Sequence, residues 1–149
     1  EIERILKEFA QEKFAFKIAK EIVKEREKSP IRTTLQLVKI IERVVGEKRG
    51  KIHPATKTFL ALRIFVNEEL ENLKEGLKDA FELLNPGGKI AVISFHSGED
   101  KIVKNFFKTL EKDGLAKILT KKPITPQPKE IAINPKSRSA KLRVIQKIK

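Results

Sequence analysis

With 149 residues, 40% of them hydrophobic, the chain has the length of one domain or two small ones and enough apolar material for a core. The lack of Cys excludes disulfides, thiolate metal sites and cysteine nucleophiles, and two isolated histidines, His53 and His96, are too few to hold a metal without carboxylate help. The net charge of +13 is unevenly spread: residues 114–149 carry 10 Lys/Arg against the single acid Glu130, whereas residues 1–113 carry 23 against 19.

A block of this kind is either a solvated face or the footprint of a polyanion, usually nucleic acid. No apolar run reaches the length of a membrane span, and no signal-like start is present, so the expected location is the cytoplasm. A charged fraction of 36%, dominated by Lys and Glu, together with the absence of Cys and Met, leans toward a thermophile's composition. Met is missing even at position 1 and the chain opens inside an amphipathic pattern, which suggests a piece of something longer.

From Ile2 to Arg26 the apolar residues Ile2, Ile5, Leu6, Phe9, Phe14, Ile18, Ile22 and Val23 recur mostly at steps of three and four, which predicts an amphipathic helix ended by Ser29-Pro30. A second helix is expected after Thr33 or Thr34, running through Leu37, Val38, Ile41 and Val45 to Gly46. The EKRGK segment at 47–51 then reads as a polar, mobile loop. His53-Pro54 opens the next helix, with Pro54 suited to the first helical position. Helical periodicity continues to Asn85, with a break near Asn67.

At NPGG (85–88) the pattern changes. KIAVIS (89–94) is a continuous run rich in β-branched residues, which predicts a strand buried on both faces, as in a parallel sheet. A helix over 98–112 follows, with Glu99 and Asp100 in its first turn, and strand, turn and helix together make half of a βαβ unit. After Asp113-Gly114 come a strand over 115–120, a loop punctuated by Pro123, Pro126, Pro128 and Pro135, and a last strand over 140–148. The expected organisation is α/β: a helical section at 1–83 joined to a three-strand part of a sheet at 84–149.

In open α/β sheets ligands collect beyond the carboxyl ends of strands. Ser94, Phe95, His96 and Ser97 leave KIAVIS at such an end, offering two hydroxyls, an imidazole that titrates near neutrality and a ring able to stack on a base. The plainer alternative is that His96 and Ser97 cap the helix and Phe95 fills core. His53, just before Pro54, reads as a satisfied loop residue. A triad of Ser94, His96 and Asp100 lacks the strand–Gly-x-Ser-x-Gly elbow of hydrolases. No Gly-x-Gly loop follows a strand and no Walker-type sequence occurs.

NPKSRSAKLR (134–143) interleaves Lys136, Arg138, Lys141 and Arg143 with Ser137 and Ser139, cationic and hydroxyl donors suited to phosphate oxygens. Its second half alternates as a strand, with Ala140, Leu142 and Val144 on one face and Lys141 and Arg143 on the other. Lys121 and Lys122 add to the same basic quarter, so the expected RNA-contacting set is Lys121, Lys122, Lys136, Arg138, Ser139, Lys141 and Arg143.

The segments HPATKTFLALRIFVNEEL (53–70), LLNPGGKIAVISFHSGEDKIVKNFF (83–107), LTKKPITP (119–126) and NPKSRSAKLRV (134–144) together resemble the bacterial 16S ribosomal RNA cytosine-N4 methyltransferases. The resemblance runs through essentially the whole chain. It implies a class I, Rossmann-like, S-adenosylmethionine-dependent methyltransferase fold with an all-helical inserted subdomain, and it assigns this chain to the C-terminal part. The family's cofactor loop, ribose-binding acid and fourth-strand motif lie before the insert. The complete enzyme is therefore expected to use S-adenosylmethionine, and this chain is expected to hold no cofactor-binding residue, no metal and no activity alone.

The resemblance makes 16S rRNA or the small ribosomal subunit the expected partner. Ser94, Phe95 and His96 become active-site candidates, Phe95 for base stacking and His96 for base positioning or proton handling. Two positions depart from the family: Gly98 stands where Leu is typical, and Lys136 where Arg is usual. Two alternatives remain open: a non-enzymatic RNA-binding module using the basic C-terminal quarter, and a helical protein-interaction domain with solubilising charge.

Overall fold

A computed structural model of the chain describes residues 1–46 and 52–149, so the loop expected at 47–51 lies outside the described residues. The chain divides into two compact units, Glu1–Glu69 and Leu70–Lys149.

In the first unit the single long helix expected at the start is two: α1 (Ile2–Ala10) and α2 (Ala15–Lys28). Gln11 ends α1 in the left-handed region at φ 49°, its amide returning to Lys7 O, and the buried Glu12 carboxylate accepts the Phe14 amide at 3.0 Å. The sequence carried a trace of this break, since Phe9 to Phe14 is a step of five in a pattern of threes and fours. Helix α3 (Thr34–Val45) starts on a capping box in which Thr33 and Gln36 exchange side-chain and backbone hydrogen bonds, and it stops at Gly46 with φ 90°. Helix α4 (Thr56–Val66) begins after a turn at His53 to Ala55, with His53 Nδ1 accepting the Ala55 amide at 3.2 Å. Ile5, Leu6, Ile18, Ile41 and Ala61 form the core between these helices.

The expected break after α4 is present, with Asn67 as its C-cap and Glu68 at φ 52°. The next helix, α5 (Glu69–Leu83), runs into the second unit. Its Leu73, Leu77 and Phe81 stand at four-residue steps and pack with Val103, Phe107 and Leu110 of α6 (Ser97–Lys112). Most of α5 therefore groups with the sheet, and the division falls at 69/70, whereas the sequence placed it at 83/84. Periodicity identifies the buried stripe of a helix but not what covers it.

The sheet has three strands, β1 (Lys89–Ser94), β2 (Ala116–Ile118) and β3 (Lys141–Lys147), in the order β1-β3-β2. Both pairings with the central β3 are antiparallel, in registers that include Ser94↔Lys141, Ile90↔Ile145 and Ile118↔Ile145. Directly paired residues share a face. Ile90, Val92, Ala116, Ile118 and Ile145 line the face packed with α5 and α6, where fully burying a large apolar side chain contributes about 1.5–3 kcal/mol.

The expectation of a parallel-type strand buried on both faces is thereby corrected. In β1, Ala91 and Ile93 are exposed, Ile93 at 58%, while Ser94 is buried. A continuous apolar run identifies a strand but not its neighbours' direction, which the chain settles by returning β3 between β1 and β2.

NPGG anchors the start of β1. Gly87 has φ 85°, and a Cβ on Gly88 would lie 2.6 Å from the Leu84 side chain. The Gly87 amide donates to Lys147 O and the Lys147 amide to Gly88 O, tying the turn to the end of β3. The proline-rich loop contains one unexpected element, α7 (Pro128–Ile133), with Pro128 at its first turn. NPKSRSAKLR forms a 3-10 turn over Pro135–Ser139 and then enters β3.

Candidate nucleic-acid interface and active-site edge

β1 and β2 both run antiparallel to β3, so their carboxyl ends lie at the edge where β3 begins. Three connections meet there: Phe95 and His96 after β1, Lys121 and Lys122 after β2, and the 3-10 turn with Lys136, Arg138 and Ser139 before β3. Segments 24 to 45 residues apart in the sequence become neighbours because one strand separates the other two.

At the β1 exit, His96 is the N-cap of α6. Its Nδ1 accepts the Glu99 amide at 3.3 Å, and Glu99 Oε2 accepts the amides of Phe95 at 2.8 Å and His96 at 3.2 Å. A ring nitrogen that accepts is unprotonated, so the neutral imidazole carries its proton on Nε2. Nε2 lies 3.5 Å from Glu99 Oε1 yet makes no hydrogen bond, and Ser94 Oγ, in a residue only 1% exposed, likewise has none among the described residues. Two orphaned polar atoms thus sit at the end of one strand, where each costs about 1–3 kcal/mol until a partner arrives. Phe95 is 54% exposed and is not core. The capping alternative thus describes His96, while the core alternative does not describe Phe95.

The exit of β2 is an interrupted extension of the ladder. The Leu119 amide donates to Val144 O, and Ile124 and Leu142 exchange both backbone bonds. Between them the Thr120 hydroxyl accepts the Val144 amide at 2.8 Å, standing in for a strand carbonyl. This bulge carries Lys121 and Lys122, both exposed. In the 3-10 turn, Ser137 Oγ donates to Asn134 O at 2.8 Å and is buried, while Lys136, Arg138 and Ser139 are exposed. Lys121, Lys122, Lys136 and Arg138 form no ion pair with any described residue, so their charge is available to a ligand.

The remaining two candidates have a different placement. β3 alternates as expected, but Lys141, Arg143, Ile145 and Lys147 share the helix-covered face. Arg143 is 8% exposed, with Nε 2.7 Å from Asp100 Oδ1 and Nη2 3.3 Å from Oδ2; Lys141 Nζ is 3.3 Å from the same Oδ2. The Arg143 hydrogen bonds hold the Asp100 carboxyl below its ordinary range against the opposing effect of burial, and Lys141 adds to the lowering. Lys147 Nζ donates to Phe81 O at 2.9 Å at the end of α5 and lies 4.9 Å from the Phe81 ring centroid. Part of the basic excess in the last quarter is therefore structural. Asp100 is the functional residue the sequence undervalued: its place in a helix first turn suggested only a dipole effect, and its partners lie more than 40 residues away.

Gly98 follows this edge, and a Cβ there would meet the His96 ring at 3.1 Å. The imidazole fills that space, so the β1–α6 turn offers no open glycine cradle and does not fit a nucleotide cofactor. His53 belongs to the first unit, with Nε2 3.2 Å from Glu42 Oε1. No helix among the described residues is long and apolar enough to cross a membrane.

Residues 1–148 match the MraW methylase family. The chain belongs to that family. Among curated members, the ribosomal RNA small subunit methyltransferase H of Persephonella marina is 54% identical over 99% of this chain and 51% of its own length. The proteins of the same name from a Sulfurihydrogenibium strain and Ehrlichia chaffeensis are 54% and 48% identical, covering 97% and 99% of the chain. The MraW-family chain spans about half the length of the curated relatives it matches. The resemblance read in the four quoted segments is thus a family relationship, and the sheet edge described above belongs to a methylase family.

Proposed function

We propose that the chain is part of an S-adenosylmethionine-dependent methyltransferase of Rossmann-like class that methylates the N4 amine of a cytidine in 16S rRNA. Within it, these residues supply RNA-binding elements and one edge of the active site. The carrying observation is the meeting at one sheet edge of an exposed aromatic ring, two orphaned polar atoms and four unpaired cations. The family relationship supplies the reaction class.

The chemistry sets what this edge must do. The cytosine N4 lone pair is delocalised into the ring, so the base must be held in one orientation and a proton accepted as the nitrogen forms its new bond. Phe95 is suited to stack on the base, which buries its ring. Ser94 Oγ and His96 Nε2 can exchange hydrogen bonds with polar groups of a bound base, and in doing so gain the partners they lack. Lys121, Lys122, Lys136 and Arg138, with the Ser139 hydroxyl, would hold the flanking phosphates. Lys141 and Arg143 would set the position of α6 and hence of His96.

The test is methyl transfer to small-subunit RNA by the full-length protein carrying Phe95→Ala or His96→Asn, the latter chosen because Asn also caps helices. Each should lower kcat/KM by tenfold or more with an unchanged melting temperature. Full activity in both variants would remove this edge from the active site. The second reading, a non-enzymatic RNA-binding module, draws on the same unpaired cations; it predicts RNA binding by the chain with no effect of Phe95→Ala on methyl transfer.

A further inference from the structure

Helix α6 carries a stripe of lysines that the active-site reading does not use. Lys101, Lys104, Lys108 and Lys112 are all exposed, and at 100° per residue they fall within one narrow arc of the helix. The stripe is about 16 Å long at 1.5 Å per residue. None of the four forms an ion pair with a described residue. An isolated basic helix face is usually a solvated surface. Here, however, its middle borders a cleft.

The cleft has a volume of about 250 Å³ and lies between α6 and the bulge after β2, lined by Lys104, Phe107, Lys108, Ile118, Thr120, Lys121 and Arg143, with Glu111. Three features make it an anion site rather than a gap. Lys104 and Lys108 stand one turn apart on one wall, and Lys121 comes from the opposite wall, so three flexible cations converge on one space. Arg143 lines the cleft although its side chain is only 9% exposed. Two of its nitrogens are held by Asp100, and Nη1 has no acceptor among the described residues. The acid in the lining, Glu111, is occupied, its Oε1 accepting the Ile118 amide at 2.8 Å. Thr120 likewise holds the Val144 amide, which fixes the bulge and with it the backbone of Lys121.

We infer that this cleft is a phosphate-binding subsite that takes a backbone phosphodiester of the RNA. The inference rests on the proposed RNA substrate and adds a contact that none of the basic residues at the strand ends supplies. A guanidinium pre-set by Asp100 offers one fixed donor, and three lysines close over the phosphate as point charges. Because Lys121 borders both the cleft and the strand-end edge, RNA held at the edge is directed along α6. Lys101 and Lys112 then extend the track by about a turn at each end.

The test is binding of a fluorescein-labelled single-stranded RNA of about twenty nucleotides to the chain over a range of salt concentrations. It compares the native sequence with the variant Lys104→Gln/Lys108→Gln/Lys121→Gln and the charge-preserving Lys→Arg triple. The Gln variant should lose tenfold or more in affinity. Its log K against log[salt] slope should fall by about 2, since each lost phosphate contact on a single strand removes about 0.7. The Arg variant should retain both, and circular dichroism should show all three folded.

If native and Gln variant bind with equal affinity and slope, the cleft assignment is wrong while the RNA reading stands. If the native chain binds no RNA, that reading is lost and the cleft is judged by titrating inorganic phosphate against backbone amide shifts. Shifts at residues 104–108 and 120–121 would keep it as a phosphate site for a different source, and their absence would overturn it.

Discussion

Asp100 is the residue whose removal should tell most about how the sheet edge is held. Its carboxylate receives two hydrogen bonds from Arg143 and one from Lys141, and the Asp100 and Arg143 side chains are 12% and 9% exposed. Asp100→Asn keeps the volume but leaves a guanidinium nearly out of water without its counter-charge. Breaking a buried pair from one side costs about 3–5 kcal/mol, whereas an exposed pair is worth about 0–1 kcal/mol. For a unit of this size, each kcal/mol corresponds to about 4–8 °C, so the melting transition should fall by at least about 12 °C.

The assay is thermal and urea unfolding by circular dichroism, with Arg143→Met and the double variant completing a cycle. The double variant should cost less than the two single changes together, because the second change removes the stranded charge. The acid limb gives an independent check. Arg143 holds the folded-state carboxyl below its ordinary value of 3.8, so the pair's contribution is full above that value and is lost as pH falls through the lowered one. The native chain should therefore lose more stability than Asp100→Asn as pH drops below about 4. A loss of under about 1 kcal/mol for Asp100→Asn at neutral pH would refute the reasoning, since it would mark the pair as solvent-screened.

Other changes separate structural from RNA-facing groups. Thr120→Val leaves the Val144 amide without its acceptor and should cost about 1–3 kcal/mol by urea unfolding, with Thr120→Ser close to native. Gly88→Ala places a methyl 2.6 Å from the Leu84 side chain and should cost about 1–3 kcal/mol; Leu84→Ala in the same chain should return part of that loss. Lys136→Gln/Arg138→Gln should leave the melting temperature unchanged and weaken RNA binding, with the salt slope lower by about 1.4 for single-stranded RNA. Equal RNA affinity would exclude the 3-10 turn from the interface.

Much of the local structure was legible from the order of residues, because its causes are local. Thr33 with Gln36, Gly46, Asn67 and the NPGG turn are each recognisable from the side chain or backbone freedom that a cap or turn requires. The single helix expected at the start was divided at Gln11 because a buried Glu12 caps the next segment, a role that depends on a burial no periodicity reports. Helix α7 went unanticipated since three prolines within 123–128 spoke for a loop, although one of them, Pro128, suits a first helical turn.

The candidate site divided along the same line. Which residues carry the chemistry, namely Phe95, His96 and the cations of the last quarter, could be named from residue type and from position at a strand end. The sequence by itself also determined that KIAVIS is a strand, that a helix follows it, and that charge gathers near the C-terminus. Only the tertiary structure decided that β3 lies antiparallel between β1 and β2, which brings three separate connections to one edge. It also decided that Arg143 and Lys141 turn toward Asp100 while Lys121, Lys122, Lys136 and Arg138 remain unpaired. The physical reason is that a cation's task depends on the nearest carboxylate and on the depth of water around it, and both are set by pairings more than 40 residues apart.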